Sequence, residues 1–343
     1  FKSRLNFDVA YYHSETTDQI ITVPIDQAVG ATSVVVNAGC VRNRGVEISA
    51  RFQPVKTKDF EWTINANWSK NWNKLVELAD GVAMWNLNPN ITVGGNIYIR
   101  AYPGTELGRL YGRGYERAPE GAFYVDADGS YVDCSNQIVV DAQTGSARLT
   151  STEAELLDLG SIYPDWTAGM SHAFSYKGFR LGMSFSAQWG GRTYSMTHFA
   201  LAYQGKLKNS LKGRYAGMIV PGVNLNENGT YSKNTTITTD IVDHYTNYVY
   251  ARENAEENVF DTSFLKLKEL RLEYSLPRHL CTKTRVFQGI TIGVYATNLF
   301  CWTNFPLYDP EAGYAVGSSI SRGIEAGAYP MTRTYGINLK LDF

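Results

Sequence analysis

The fold class that this sequence predicts is all-β: an antiparallel transmembrane β-barrel with long extracellular loops and short periplasmic turns. Three observations predict it. Strict period-2 alternation recurs along the chain. The connections between alternating segments sort into two lengths that take turns. Aromatic residues gather at the ends of the apolar faces, with aliphatic residues between them.

The C-terminal strand carries the cleanest alternation. Tyr335, Ile337, Leu339, Leu341 and Phe343 are apolar, while Gly336, Asn338, Lys340 and Asp342 are small or polar. Period 2 puts one set on each face of a strand. A barrel wall needs such two-faced strands, because its outer side meets lipid, its inner side meets water, and every backbone group must be paired. The same pattern runs through Leu5, Phe7, Val9 and Tyr11, then Val46 to Phe52, then Phe60 to Trp68. It returns at Phe179 to Trp189, Leu270 to Leu276, and Ile290 to Ala296. With weaker segments near 91–102, 106–116 and 165–176, the expectation is about ten strands of bilayer-crossing length. Alternation already at Arg4 to Tyr11 reads as the downstream piece of a longer chain, with no leader in view.

Short turns are expected at Pro54–Asp59, Pro103–Gly104, Lys177–Gly178 and Pro277–Gln288. Long polar loops are expected near 19–42, 79–90, 117–164, 191–261 and 300–329. Counted back from Phe343, the short turns fall on the side where the chain ends. That segregation belongs to outer-membrane barrels; a β-sandwich mixes turn lengths at both ends. Phe179, Phe185 and Trp189 bracket Leu181 and Met183, and Trp166, Phe174 and Tyr176 bracket Ala168 and Met170. Such rings prefer headgroup level, where one edge stays wet.

Composition fits without deciding. The 343 residues are 13% aromatic and 19% charged, with a net charge of −1. A near-neutral chain gives no electrostatic basis for a nucleic-acid partner. No apolar run reaches the roughly 18 residues of a transmembrane helix, and barrel strands would not supply one. Cys40, Cys134, Cys281 and Cys301 form no CxxC pair. They read as free thiols, with one disulfide open in an oxidising compartment.

The chain resembles the C-terminal part of the barrel of SusC/RagA-type TonB-dependent outer-membrane transporters. The stretches that carry this are Asn43-Arg-Gly45-Val-Glu47, Gly108-Arg-Leu-Tyr-Gly112, Tyr163-Pro164-Asp165-Trp166 and Tyr176-Lys-Gly178-Phe179. Gln188-Trp-Gly190-Gly191-Arg192 follows, then Ser263 to Leu270 running to Leu276-Pro277. Asn298-Leu299-Phe300-Cys301-Trp302, Asp309-Pro310-Glu311 and Tyr329-Pro330 complete the series. Leu307 departs from it, where the family pattern usually carries glycine.

The resemblance covers the whole chain, residues 1–343, as one portion of one barrel domain. It implies a full barrel of about 22 strands filled by a plug, with the plug and its TonB box absent from this chain. It implies an importer of glycans or peptides in the outer membrane of a Gram-negative bacterium, with TonB and a SusD-like surface lipoprotein as partners. It implies no cofactor and no enzyme. A passive porin or adhesin barrel, and a soluble carbohydrate-binding β-sandwich, are the alternatives.

Candidate site residues follow from position and type. Glu47, Arg51, Glu269, Arg271 and Glu273 fall on the polar faces of strands and are candidates for lining the lumen. Cross-strand ion pairing is the competing role. Trp85, Trp302, Phe305 and Tyr308 fall in expected loops, where ring faces stack on sugars; packing of loop on loop is the competing role. Phe343 resembles the C-terminal aromatic by which barrel clients are recognised for assembly. Asp126-Ala-Asp128-Gly129-Ser130 lacks the later glycine and glutamate of an EF-hand and reads as a hairpin turn. The five histidines have no zinc-ligand spacing, and no GxSxG elbow, P-loop or Rossmann pattern occurs.

Overall fold

The computed structural model describes residues 4–24, 33–37, 39–87, 97–152, 155–283, 285–316 and 319–343. Eight long strands build one sheet: β1 (Leu5–Thr16), β2 (Cys40–Lys56), β3 (Phe60–Glu77) and β4 (Trp166–Tyr176), then β5 (Phe179–Trp189), β6 (Phe264–Ser275), β7 (Gly289–Thr303) and β8 (Thr334–Asp342). Each pairs antiparallel with the next in chain order. This is an up-and-down barrel wall. Among the described residues no helix is long and apolar enough to cross a membrane.

Register carries the amphipathic pattern across all eight strands. Leu5, Phe52, Ile64, His172, Met183, Leu270, Ala296 and Tyr335 stand side by side in one row. The next row on the other face is Asn6, Arg51, Asn65, Ser171, Ser184, Glu269, Thr297 and Thr334. A one-residue slip anywhere would exchange the faces, so the lipid-facing belt and the polar lumen specify register together. Phe7 is 64% exposed and Ile337 79%. In water that would be costly, and against acyl chains it is the favourable arrangement.

The connections segregate by end. Those after β2, β4 and β6 span 57–59, 177–178 and 276–288, and those after β1, β3, β5 and β7 span 17–39, 78–165, 190–263 and 304–333. The chain starts β1 and finishes β8 at the short-turn end. Two glycines show why the wall needs them. A Cβ on Gly45 would meet the Tyr12 ring at 2.3 Å, and one on Gly336 would meet the Tyr295 ring at 2.4 Å. In each pair a tyrosine lies flat over its cross-strand glycine on the lumen face, the packing that compensates a glycine in a strand.

Two expectations need correcting. The segments near 91–102 and 106–116 are not wall strands, and residues 91–96 lie outside the described ones. Ile97–Ala101 and Arg109–Gly112 belong to a separate four-stranded sheet with Trp85–Asn86 and Leu157–Ser161. Ile97, Ile99, Arg100 and Ala101 are all buried. Consecutive burial leaves no apolar face for lipid, so among the described residues the wall has eight strands rather than about ten. The Pro103–Gly104 turn moves with them to the long-loop end, where the Gly104 N–H donates to the Leu75 carbonyl at 2.8 Å.

At 17 and 18 residues, β2 and β3 outrun the roughly 9–11 needed to cross a bilayer at a tilt. Their surplus projects from the membrane as a stalk, with Val41 and Leu75 packed on Ala101.

Candidate functional site

The lumen face is a ladder of polar side chains. Asn65 Nδ2 donates to Ser171 Oγ at 3.2 Å, Ser69 and Thr167 hydroxyls meet at 2.8 Å, and Gln53 Nε2 donates to Glu61 Oε1 at 2.7 Å. A depression of about 520 Å³ lies over Asn6, Asp8, Ser49, Arg51 and Asn65. A second, of about 790 Å³, lies at the short-turn end among Lys58, Glu61, Arg180, Arg271, Glu273 and Lys340. Glu47 and Arg51 sit in inward rows, opposite Ser69 and Asn65 respectively. Glu269, Arg271 and Glu273 alternate along β6, with the guanidinium 3.5 Å from each carboxylate. All five lumen candidates therefore face the lumen side, and three of them pair with one another.

A bulge places the strongest charge cluster. Apolar residues of β6 face outward at Leu265 and Leu267, then at Leu270 and Leu272; the phase slips at Lys268. The extra residue of a bulge re-aims a side chain. Lys266 Nζ bonds Asp309 Oδ1 at 2.6 Å and also Glu311, while Lys268 Nζ bonds Glu311 Oε2 at 2.7 Å. Lys266 and Asp309 are each 4% exposed. Burial raises the Glu311 carboxyl, and the two ammonium groups outweigh it and hold the group below the usual carboxylate range. The final long connection is thus pinned to the wall by buried ions.

The connections 78–165, 190–263 and 304–333 together form a loop body with an ordinary water-excluded core. Ile97, Ile99, Leu110, Tyr194, Ala255 and Ile324 bury together. Arg192–Ser195 pairs with Val259–Asp261 on one side and with Ile324–Glu325 on the other, tying the connections after β5 and β7 into one sheet. Ser195 caps helix α1 (Met196–Tyr203), its Oγ accepting from the His198 N–H at 3.0 Å. The same hydroxyl donates to Glu325 at 2.6 Å, as does Thr197. Glu325 is fully buried and so is compensated by hydroxyl donors beside a helix N-terminus. Burial also lowers His198 and His244 and raises Glu257, whose carboxylate accepts from the Tyr115 hydroxyl at 3.1 Å.

The four aromatic candidates do not converge on one cavity. Trp85 packs on the Val41, Leu75 and Ala101 cluster at the stalk. Trp302 belongs to β7, not to a loop; it stands in the outward row opposite Leu265 and stacks on Phe300 at 5.6 Å. That is a girdle position. Phe305 is buried edge-on against Phe260 at 6.0 Å. Tyr308 is 38% exposed; its hydroxyl donates to the Ala328 carbonyl and lies 3.4 Å from Glu325 Oε1. Phe343 leaves its ring 5.2 Å from Phe287 and is 73% exposed. The Asp126–Ser130 segment closes a hairpin between Phe123–Val125 and Tyr131–Asp133. Cys40, Cys134 and Cys281 are buried thiols and Cys301 is an exposed one. No group of three or more potential metal ligands occurs among the described residues. Sequence reading missed Lys266 with Asp309 and Glu325 with Ser195 as pairs. The phase slip at Lys268 was the available signal for the first.

A family model described as TonB dependent receptor-like, β-barrel, matches residues 1–196, more than half of the chain. The chain belongs to that family. TonB-dependent receptors are outer-membrane proteins of Gram-negative bacteria and are transporters rather than enzymes. Over its full length this TonB-dependent receptor chain is 26% identical to TonB-dependent receptor P3 of Formosa agariphila, covering 33% of that protein. It is 22% identical to TonB-dependent receptor SusC of Bacteroides thetaiotaomicron, with 99% of this chain and 30% of that protein covered. The RagAB peptide importer in its closed-closed state shares the fold with a TM-score of 0.70 at 22% identity, over 100% of this chain and 34% of the other. Its open-open state gives 0.65. The chain spans about a third of the length of the curated relatives it matches.

Proposed function

We propose that residues 1–343 are the C-terminal portion of one barrel domain of a SusC-like importer. That importer takes up glycans or peptides through a plug-filled lumen, is energised by TonB, and works with a SusD-like surface lipoprotein. The observation that carries this reading is the pairing of a two-faced, eight-strand wall with a folded loop body confined to one end. A passive pore needs the wall. It does not need long connections tied into a separate core that presents a shaped outer surface. On this reading the polar lumen row through Arg51 and Asn65 borders the solute path, with Glu47 beside it.

The test uses the native protein in its own outer membrane. Uptake of labelled oligosaccharides and oligopeptides is measured with TonB present and deleted, and the protein is purified in mild detergent to identify what accompanies it. TonB-dependent uptake of one ligand class, together with one co-purifying surface lipoprotein, is expected. Uptake that persists unchanged without TonB would establish the passive porin instead.

A further inference from the structure

His172 stands where a polar ring is least expected, in the outward row between Ile64 and Met183. Its ring lies nearly parallel to those of Trp62 at 6.0 Å and Phe174 at 6.1 Å, which also stack on each other at 5.3 Å, and Phe185 meets it edge-on at 6.2 Å. Trp62 Nε1 donates to its Nδ1 at 3.3 Å. An indole N–H only donates, so Nδ1 is the acceptor and the neutral ring carries its proton on Nε2. No described residue accepts from Nε2. In hydrocarbon an unmet N–H is strongly unfavourable, so this donor calls for an acceptor from outside the wall.

An apolar groove of about 260 Å³ begins in the next outward row, at Met170 and at the Phe185 ring that meets His172. Its floor is Ala50, Ala66, Ala168 and Ala187, with Trp68 and Phe185 as walls. His172 is four residues from Tyr176 and the Lys177–Gly178 turn. At about 3.3 Å per residue and a tilt near 45°, that sets it roughly 10 Å above the periplasmic end. Tyr176, Phe179 and Tyr274 form the aromatic girdle below it, and the groove runs upward from it toward mid-membrane. A polar group low and an apolar trough above it reproduce the polarity of a periplasmic-leaflet lipid.

We infer that the outer face of β3, β4 and β5 is a docking site for one glycerophospholipid of the periplasmic leaflet, with a glycerol-ester oxygen accepting from His172 Nε2 and an acyl chain in the alanine-floored groove. The site is continuous with the lipid-facing belt, which is why a lipid rather than a protein is its occupant. The inference needs only the membrane placement of the wall, not the importer reading.

Native mass spectrometry of the detergent-purified protein, titrated with diacyl phosphatidylethanolamine, tests it. One tightly held molecule is expected. His172→Phe removes the donor and should weaken retention roughly three- to tenfold. Ala66→Leu fills the floor and should do the same, while His172→Gln, which keeps an N–H, should hold the lipid better than His172→Phe. The heat-dependent gel shift of a folded barrel controls for assembly, and Ala66→Leu carries the test if His172→Phe does not assemble. Unchanged retention in the assembled variants overturns the proposal. So does preferential capture of lipopolysaccharide, or a second copy of the protein displaced by Ala66→Leu.

Discussion

The wall and the loop body are built from one chain by opposite rules. In the wall the large apolar side chains are the exposed ones: Phe7, Val9, Ile337 and Leu339 all exceed half exposure. The loop body instead gathers large apolar side chains into a core of its own, with Leu110, Tyr194 and Ile324 at 0%, while others such as Tyr215 and Val242 stay exposed. The wall satisfies its polar groups by a repeating ladder, while the loop body satisfies them one at a time, as Ser195 and Thr197 do for Glu325. The difference is one of solvent. Lipid supplies no hydrogen bonds and makes apolar exposure free, so the wall's only demand is backbone closure. Water makes apolar exposure unfavourable, so the loop body needs a core.

Where the two regions meet, a buried ion cluster joins them, and breaking it should give the largest effect. Lys266→Met leaves Asp309 buried without its counter-charge. Removing one partner of a buried pair destabilises by about 3–5 kcal/mol. The loss should be local: hydrogen exchange across the 304–333 connection rises, while the pairing of β1 with β2 keeps its protection. Replacing Asp309 and Glu311 with Leu in the same protein should recover most of the protection. If Lys266→Met alone leaves exchange in that connection unchanged, the cluster is not what holds it.

The wall's rule is tested next, and less severely. Met183 lies in the outward row and Ser184 in the inward one. Met183→Arg should cost about 2–4 kcal/mol, the range for a charge near the midplane of a barrel's lipid face. Ser184→Arg faces the lumen and should cost clearly less. Denaturant unfolding from vesicles measures both. Equal losses would mean that β5 is buried on two sides, and the two-solvent contrast would fail at the strand where alternation is cleanest.

That alternation is also where the sequence was legible. Period 2 locates the wall strands and their faces because lipid selects on alternate residues alone, a local signal. The parity that places Trp302 was present but not followed: Ile290, Ile292, Val294 and Ala296 set an alternation that continues through Phe300 to Trp302. Asn298, with its φ of 53°, interrupts the apolar series, and so the end of β7 reads as the start of a loop. The segment around Ile99 misled for the opposite reason. An apolar run buried on both sides resembles a strand, and nothing in it says which solvent surrounds the sheet. The contact between Ser195 and Glu325 joins residues 130 positions apart. No periodicity encodes such a pair, so the core of the loop body was beyond sequence pattern.

The mildest test uses protons, and it should divide the two regions cleanly. His198 and His244 are buried in the loop body at 4% and 2% exposure. Burial is the main reason each sits below the ordinary histidine value, the contact with Asn258 partly opposing it for His198 and the charge of Asp243 for His244. Asn258 Nδ2 donates to the Asn254 carbonyl, so its Oδ1 faces His198 and Nδ1 is the donor across 2.9 Å. A lowered folded value means that the unfolded segment binds protons first as pH falls. The contribution of these neutral rings is therefore complete above about pH 6.5 and is lost as pH drops through the folded values. Amide exchange in Met196–Tyr203 and around His244 should accelerate between pH 7.5 and pH 5, after correction for the intrinsic rate, while β4 and β5 stay constant. His198→Gln with His244→Gln should flatten that dependence. A wall that loosened in step with the loop body over this range would show that the two regions open as a single unit, and the separation drawn here would be wrong.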